Sequence, residues 1–149
     1  MSIALFMAAR GFPPSGPEGR SPTQPRILLI DDERVSRFTT QSVLEKLGFE
    51  VETLDDGRSA AEAEATGQYV AVIMDCQMPF VDGFEATAAI RRQQRQSHGR
   101  RTPIIGLSAR SMAGDEDVAL SKGMDVYLTK PVSARKLQAA LETVQVAAG

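Results

Sequence analysis

Five short runs of aliphatic residues recur along the chain: Ile27 to Ile30, Val51 to Leu54, Val70 to Met74, Ile104 to Leu107 and Val126 to Leu128. Each has the length of a strand, and four of the five lack the polar alternation of a sheet with one wet face. A strand that is apolar on both sides must be covered on both sides. Amphipathic or alanine-rich stretches lie between the runs, near Val35 to Leu47, Arg58 to Ala65, Gly83 to Gln96, Met112 to Ser121 and Ala134 to Val146. These are the expected helices. Five strands alternating with five helices imply right-handed crossovers, and so an α/β fold whose doubly wound parallel sheet carries helices on both faces.

Local signals sharpen some of these elements more than others. The last helix has the cleanest stripe, with Leu137, Ala140, Leu141 and Val144 at i, i+3, i+4 and i+7. In the first, Val43, Leu44 and Leu47 cluster while Val35 and Phe38 drift off that face. Gly48, Gly67 and Gly123 follow helical patterns where a C-terminal stop is expected. Asp82, with Glu85 three positions later, forms a capping pair for the third helix. From Gly11 to Pro25 the sequence GFPPSGPEGRSPTQP is too rich in Pro, Gly and Ser to bury a core. Residues 1–25 are therefore read as a flexible leader, an unstructured tail or else a docking peptide, and residues 26–149 as one folded domain. A chain of 149 residues is too short for two ordinary domains.

Composition narrows the function classes. With 42% hydrophobic and 24% charged residues the chain has the balance of a soluble globular protein. Its formal charge of -2 argues against generic nucleic-acid binding, which relies on Lys and Arg neutralising phosphates. No stretch approaches the roughly 20 apolar residues that cross a bilayer, and Met1 to Ala9 lack the positive start of a signal peptide. Cys76 is the only cysteine, which excludes an intrachain disulfide and a Cys-based zinc site. A cytoplasmic protein without nucleic-acid or membrane partners is expected.

The polar residues at the strand ends carry the chemistry. The first run leads into Asp31, Asp32 and Glu33; the third ends at Asp75, the fourth at Ser108 and the fifth at Lys130. If the strand order is the flavodoxin-like 2-1-3-4-5, all of these converge on the carboxyl rim of the sheet, where ligands bind in such folds. Three carboxylates that close repel one another unless a cation neutralises them. Oxygen ligands without His or Cys suit Mg²⁺, with Mn²⁺ possible, and Mg²⁺ commonly bridges to phosphate oxygens. A lysine then supplies a point charge for a phosphoryl group and a serine hydroxyl a hydrogen bond, leaving an aspartate to act as nucleophile.

The passages ILLIDDERVSR, VIMDCQMPFVDGFEATAAIR, IIGLSARSM and GMDVYLTKPVS resemble the response-regulator receiver domains of two-component signalling. The resemblance covers Arg26 to Val146. It implies that Asp75 is the phospho-acceptor and that Asp32, Asp75 and the backbone carbonyl of Gln77 hold the metal, with Asp31 acting mainly through water. Ser108 resembles the family's hydroxyl position, Lys130 its phosphate-binding lysine and Tyr127 its switch aromatic. The Lys130-Pro131 bond is similar to one that is cis in the family. Val81 and Ser108 stand where Met and Thr are more frequent, and neither change removes a functional group. The wording MDCQMP and GDEDVALSKGMDVYLTKP is similar to receivers of hybrid histidine kinases and phosphorelays.

Plainer readings stand beside these. Asp31 and Asp32 could be a polar turn that caps the next helix, and Tyr127 a half-buried packing residue. Cys76 is expected to fill a small site beside Asp75, and His98 to be solvated. The basic run from Arg91 to Arg101 is expected to be an exposed helix face or loop, or else a contact for an acidic partner.

The resemblance implies transfer from a phosphohistidine donor, a histidine kinase or histidine phosphotransfer protein, onto Asp75. The module would catalyse only its own phosphorylation and dephosphorylation, and signal to a downstream protein through the last two helices and strand five. Competing readings are an interaction module with the same fold that is never phosphorylated, and a haloacid-dehalogenase-type phosphatase or phosphotransferase. The latter class places a second acid two residues after its nucleophile, where this chain has Gln77.

Overall fold

A computed structural model describes residues 24–110 and 112–146. Residues 1–23, most of the expected leader, lie outside the described residues. The elements alternate without exception: β1 (Arg26–Ile30), α1 (Arg34–Lys46), β2 (Glu50–Leu54), α2 (Ala60–Thr66), β3 (Ala71–Asp75), α3 (Gly83–Ser97), β4 (Ile104–Ser108), α4 (Asp115–Ser121), β5 (Val126–Thr129) and α5 (Ala134–Thr143). All neighbouring strands are parallel, in the order β2-β1-β3-β4-β5.

Successive side chains of a strand face opposite sides, so each apolar run feeds two cores. Ile27, Leu29, Ile73, Ile105 and Leu107 pack with Leu44 of α1 and Leu137 and Leu141 of α5. Leu28, Ile30, Val72, Met74 and Ile104 pack on the other face with Ala60, Ala86, Ile90 and Ala119 of α2, α3 and α4. The run that does alternate forms the edge strand β2, with Glu52 turned to solvent.

The boundaries differ from expectation where loop chemistry intervenes. Helix α2 starts at Ala60 rather than Arg58, because Arg58 is held in a turn by its N–H donating to Asp56 Oδ1 at 2.7 Å. Helix α4 starts at Asp115 rather than Met112, after Gly114 takes a left-handed φ of 90°. Gly48 and Gly123 are left-handed stops, whereas Gly67 ends α2 in extended backbone. Asp82 caps α3 as expected, its Oδ1 accepting from the Glu85 N–H at 2.8 Å. The Lys130-Pro131 bond is cis.

The basic run is not simply a solvated face. Arg91 is 6% exposed and Gln94 5%, because both extend the buried stripe of α3. Arg91 donates to Asp125 Oδ2 (2.9 Å), to the carbonyls of Thr102 (2.7 Å) and Gly123 (2.9 Å), and to Gln94 Oε1 (2.9 Å). Gln94 and Thr102 in turn donate to Glu64 Oε1 at 3.1 and 2.6 Å, and Arg101 to Asp125 Oδ1 at 2.6 Å. This polar web ties α2 and α3 to the amino end of the sheet. Burial lowers the Arg91 pKa to about 10 and Arg101 pushes the same way, which still leaves it charged at neutral pH. His98 is exposed, as expected, at the left-handed end of α3.

Candidate phosphoryl-transfer site

At the opposite end of the sheet, the carboxyl rim gathers the residues singled out by their strand-end positions. Oxygens of Asp31, Asp32 and Asp75 all lie within 4.8 Å of one another. Asp31 and Asp75 are buried, and Asp32 is exposed. Lys130 reaches across from the end of β5, its Nζ 3.1 Å from Asp31 Oδ2 and 3.6 Å from Asp75 Oδ1. Asp31 is oriented by Ser36 Oγ, which donates at 2.7 Å, and by the Glu33 N–H at 3.0 Å. Of the plainer reading only the polar turn holds: Asp31 Oδ1 accepts from the Glu33 N–H, but Glu33 is the N-cap of α1 and no side chain caps that helix, while Asp31 Oδ2 faces the cluster.

The backbone at Asp75 lies close against the start of α3. Gly83 has to be glycine for this reason: a Cβ there would strike the Asp75 carbonyl oxygen and come within 2.8 Å of Cys76 Cα. The Gln77 N–H donates to Asp75 Oδ1 at 3.2 Å, folding the loop after β3 over the carboxylate. Burial, then the charge of Asp31, raise the Asp75 pKa to about 7, and Lys130 opposes this only in part. The same burial pushes the Cys76 thiol up to about 12, which makes it an inert filler beside the acid.

Ser108, at the end of β4, is buried and engaged. It donates to the Arg110 carbonyl and accepts from Gln77 Nε2 at 2.9 Å. Tyr127 is 8% exposed, with its ring in the core and its hydroxyl 3.4 Å from that same carbonyl. It is a packing residue and also a neighbour of the site. The Gln77 side chain was not foreseen: besides reaching Ser108, its Oε1 accepts from the Ala109 N–H at 3.0 Å. Nor was Phe80, an exposed ring at a left-handed φ of 68° beneath the Arg58 guanidinium, 4.4 Å from its centroid.

The donor set fits a hard divalent cation. Three carboxylates converge without His or Cys, and one lysine cannot neutralise them all. The family model for the response regulator receiver domain matches residues 27–142. The chain belongs to the response-regulator receiver family. It is 41% identical over 120 residues to the sensor histidine kinase GacS of Pseudomonas protegens, covering 80% of this chain and 13% of that one. This receiver therefore spans a small fraction of the length of that relative. The receiver domain of the sensor histidine kinase PA1611 from Pseudomonas aeruginosa, solved with a magnesium ion coordinated in its active-site cleft, aligns with a TM-score of 0.72 and 38% identity. That match covers 80% of this chain and 96% of the other. The co-crystal of the Saccharomyces cerevisiae phosphotransfer protein Ypd1 with the receiver domain of Ssk1 gives a TM-score of 0.73 at 26% identity, covering 80% and 88%. The fold and the signalling class, a receiver of two-component and phosphorelay systems, agree with the sequence reading. Among the described residues no helix is long and apolar enough to cross a membrane.

Proposed function

We propose that this receiver takes a phosphoryl group onto Asp75 from a phosphohistidine, with Mg²⁺ held by Asp32, Asp75 and the Gln77 backbone carbonyl, and by Asp31 mainly through water. The observation that carries this reading is the convergence of Asp75 with the other two acids and the Lys130 ammonium. A carboxylate oxygen of Asp75 attacks phosphorus in line, the P–N bond breaks, and the imidazole nitrogen leaves with the electron pair. The product is an acyl phosphate. When bound, Mg²⁺, or Mn²⁺ with the same preference for oxygen, supplies charge neutralisation for the phosphoryl oxygens. Lys130 adds a second positive charge beside Asp75. Ser108 donates its hydroxyl to a phosphoryl oxygen, and Tyr127, sharing the Arg110 carbonyl with it, follows the rearrangement. The receiver catalyses only its own modification and its reversal.

The donor is a histidine kinase or a phosphotransfer protein. Exposed Val35 and Phe38 on α1, next to Asp32, offer it an apolar seat. The downstream protein reads α4, β5 and α5, where Val118 and Leu120 of α4 are exposed. A reducing cytoplasm suits the single buried thiol and this chemistry.

Incubation with Mg²⁺ and a small acyl-phosphate donor, followed by intact mass, is expected to give one added phosphoryl group that is absent in Asp75→Asn. An adduct on another residue overturns the assignment of Asp75. Absence of any adduct, from this donor and from a cognate kinase, favours the unphosphorylated interaction module. Steady turnover of sugar phosphates would point to a phosphatase instead.

A further inference from the structure

The carboxamide of Gln77 makes a two-point clasp between the loops after β3 and β4. Its Nε2 donates to Ser108 Oγ at 2.9 Å, and its Oε1 accepts from the Ala109 N–H at 3.0 Å. Both partners sit at the end of β4, the strand whose ladder pairs Leu107 with Asp75. They are also the two groups on this strand end best suited to an anion: a hydroxyl and a free-standing backbone N–H. We infer that Gln77 is a positioning residue that holds Ser108 and Ala109 in the unphosphorylated arrangement, so that a phosphoryl group on Asp75 must displace its side chain to engage them. This rests on the proposed acceptor role of Asp75.

Ser108 has one proton to donate and gives it to the Arg110 carbonyl. To donate to a phosphoryl oxygen it must release that carbonyl, and a shift of Oγ toward Asp75 takes it out of reach of Gln77 Nε2 as well. Ala109 meanwhile cannot offer its N–H to an anion while Gln77 Oε1 occupies it. The clasp therefore biases the equilibrium toward the resting state without touching the reacting atoms. Gln77 is exposed, so water replaces its contacts when it lets go, and the bias is small enough for a phosphoryl group to overcome.

The test compares the intact chain with Gln77→Ala and Gln77→Met, both of which keep the main-chain carbonyl. Binding of beryllofluoride, a phosphoryl mimic, is measured in Mg²⁺ by calorimetry, and hydrogen exchange at the Ala109 amide is followed by NMR without the mimic. Loss of the clasp is expected to tighten mimic binding about threefold or more in both variants, and to speed Ala109 exchange in both. A purely structural role would also speed Ala109 exchange, since the amide loses its acceptor either way, but would leave mimic binding unchanged. Tighter binding in Gln77→Ala but not in Gln77→Met overturns the inference, because bulk rather than hydrogen bonding would then control entry. Equal or weaker binding in both variants also overturns it. If the unsubstituted chain binds no mimic and takes no phosphoryl group, the acceptor reading itself fails. An Asp75 adduct together with an unresponsive Gln77 series removes the clasp alone.

Discussion

The two ends of this sheet both bury charge, and they treat it in opposite ways. At the amino end, Arg91 lies against Asp125, with two carbonyls and Gln94 completing its hydrogen bonds, and Asp125 also takes Arg101 and the Ile104 N–H. Arg91 and Asp125 there meet as opposite charges, and Glu64 is satisfied by Gln94 and Thr102. At the carboxyl end, Asp31 and Asp75 share one Lys130 with Asp32 close by, and the Asp75 proton is correspondingly hard to remove. The first arrangement holds the fold together. The second keeps an electrostatic imbalance that a cation and a phosphoryl group can relieve, which is the usual separation between supporting and reacting parts of a protein.

The largest expected break in this contrast is Arg91→Leu, which takes the buried cation from Asp125 and the side-chain donor from the Thr102 carbonyl. Urea unfolding is expected to lose about 3–5 kcal/mol. Asp125→Asn, a milder lesion in the same web, is expected to lose about 1–3 kcal/mol, since the amide keeps one acceptor for Arg91 but not its charge. The identical change at the other end, Asp75→Asn, has the opposite sign. In EDTA at pH 8 it is expected to raise stability by about 1–2 kcal/mol by removing a like charge from beside Asp31. Loss of stability in that variant would mean that the rim charges are already balanced.

A pH dependence tests the same imbalance by its direction. Unfolded, Asp75 has an ordinary pKa of 3.8, and in the metal-free native state one of about 7. Between these values the native state holds a proton that the unfolded chain has released. Stability therefore falls as pH rises from about 4 to about 7, then levels off. Denaturation in EDTA at pH 5 and pH 8 is expected to reveal this slope in the unsubstituted chain and not in Asp75→Asn. Added Mg²⁺ is expected to flatten it by binding only the native state.

What the sequence discloses follows the same division. Runs such as Val70 to Met74 declare a covered strand, and the ends of those runs declare the rim, because in a parallel sheet strand ends must meet. Arg91 escaped notice because a cluster of arginines and glutamines looks solvated by composition. Its position does not: Gly83, Ala86, Thr87, Ile90, Arg91 and Gln94 form one helical stripe, so periodicity carries a signal that polarity masks. The Gln77 side chain left no such trace. Its partners lie 31 and 32 positions away on another strand, and a contact of that kind exists only once the sheet has assembled.

The inert thiol of Cys76 turns the receiver into its own stopwatch. As the chain's single cysteine, next to Asp75 and sealed from solvent, it meets an alkylating reagent only when the end of β3 opens. The labelling rate then counts those openings, and slower labelling on adding Mg²⁺ or a phosphoryl mimic would time, without any engineered probe, how firmly each one closes the active end of the sheet.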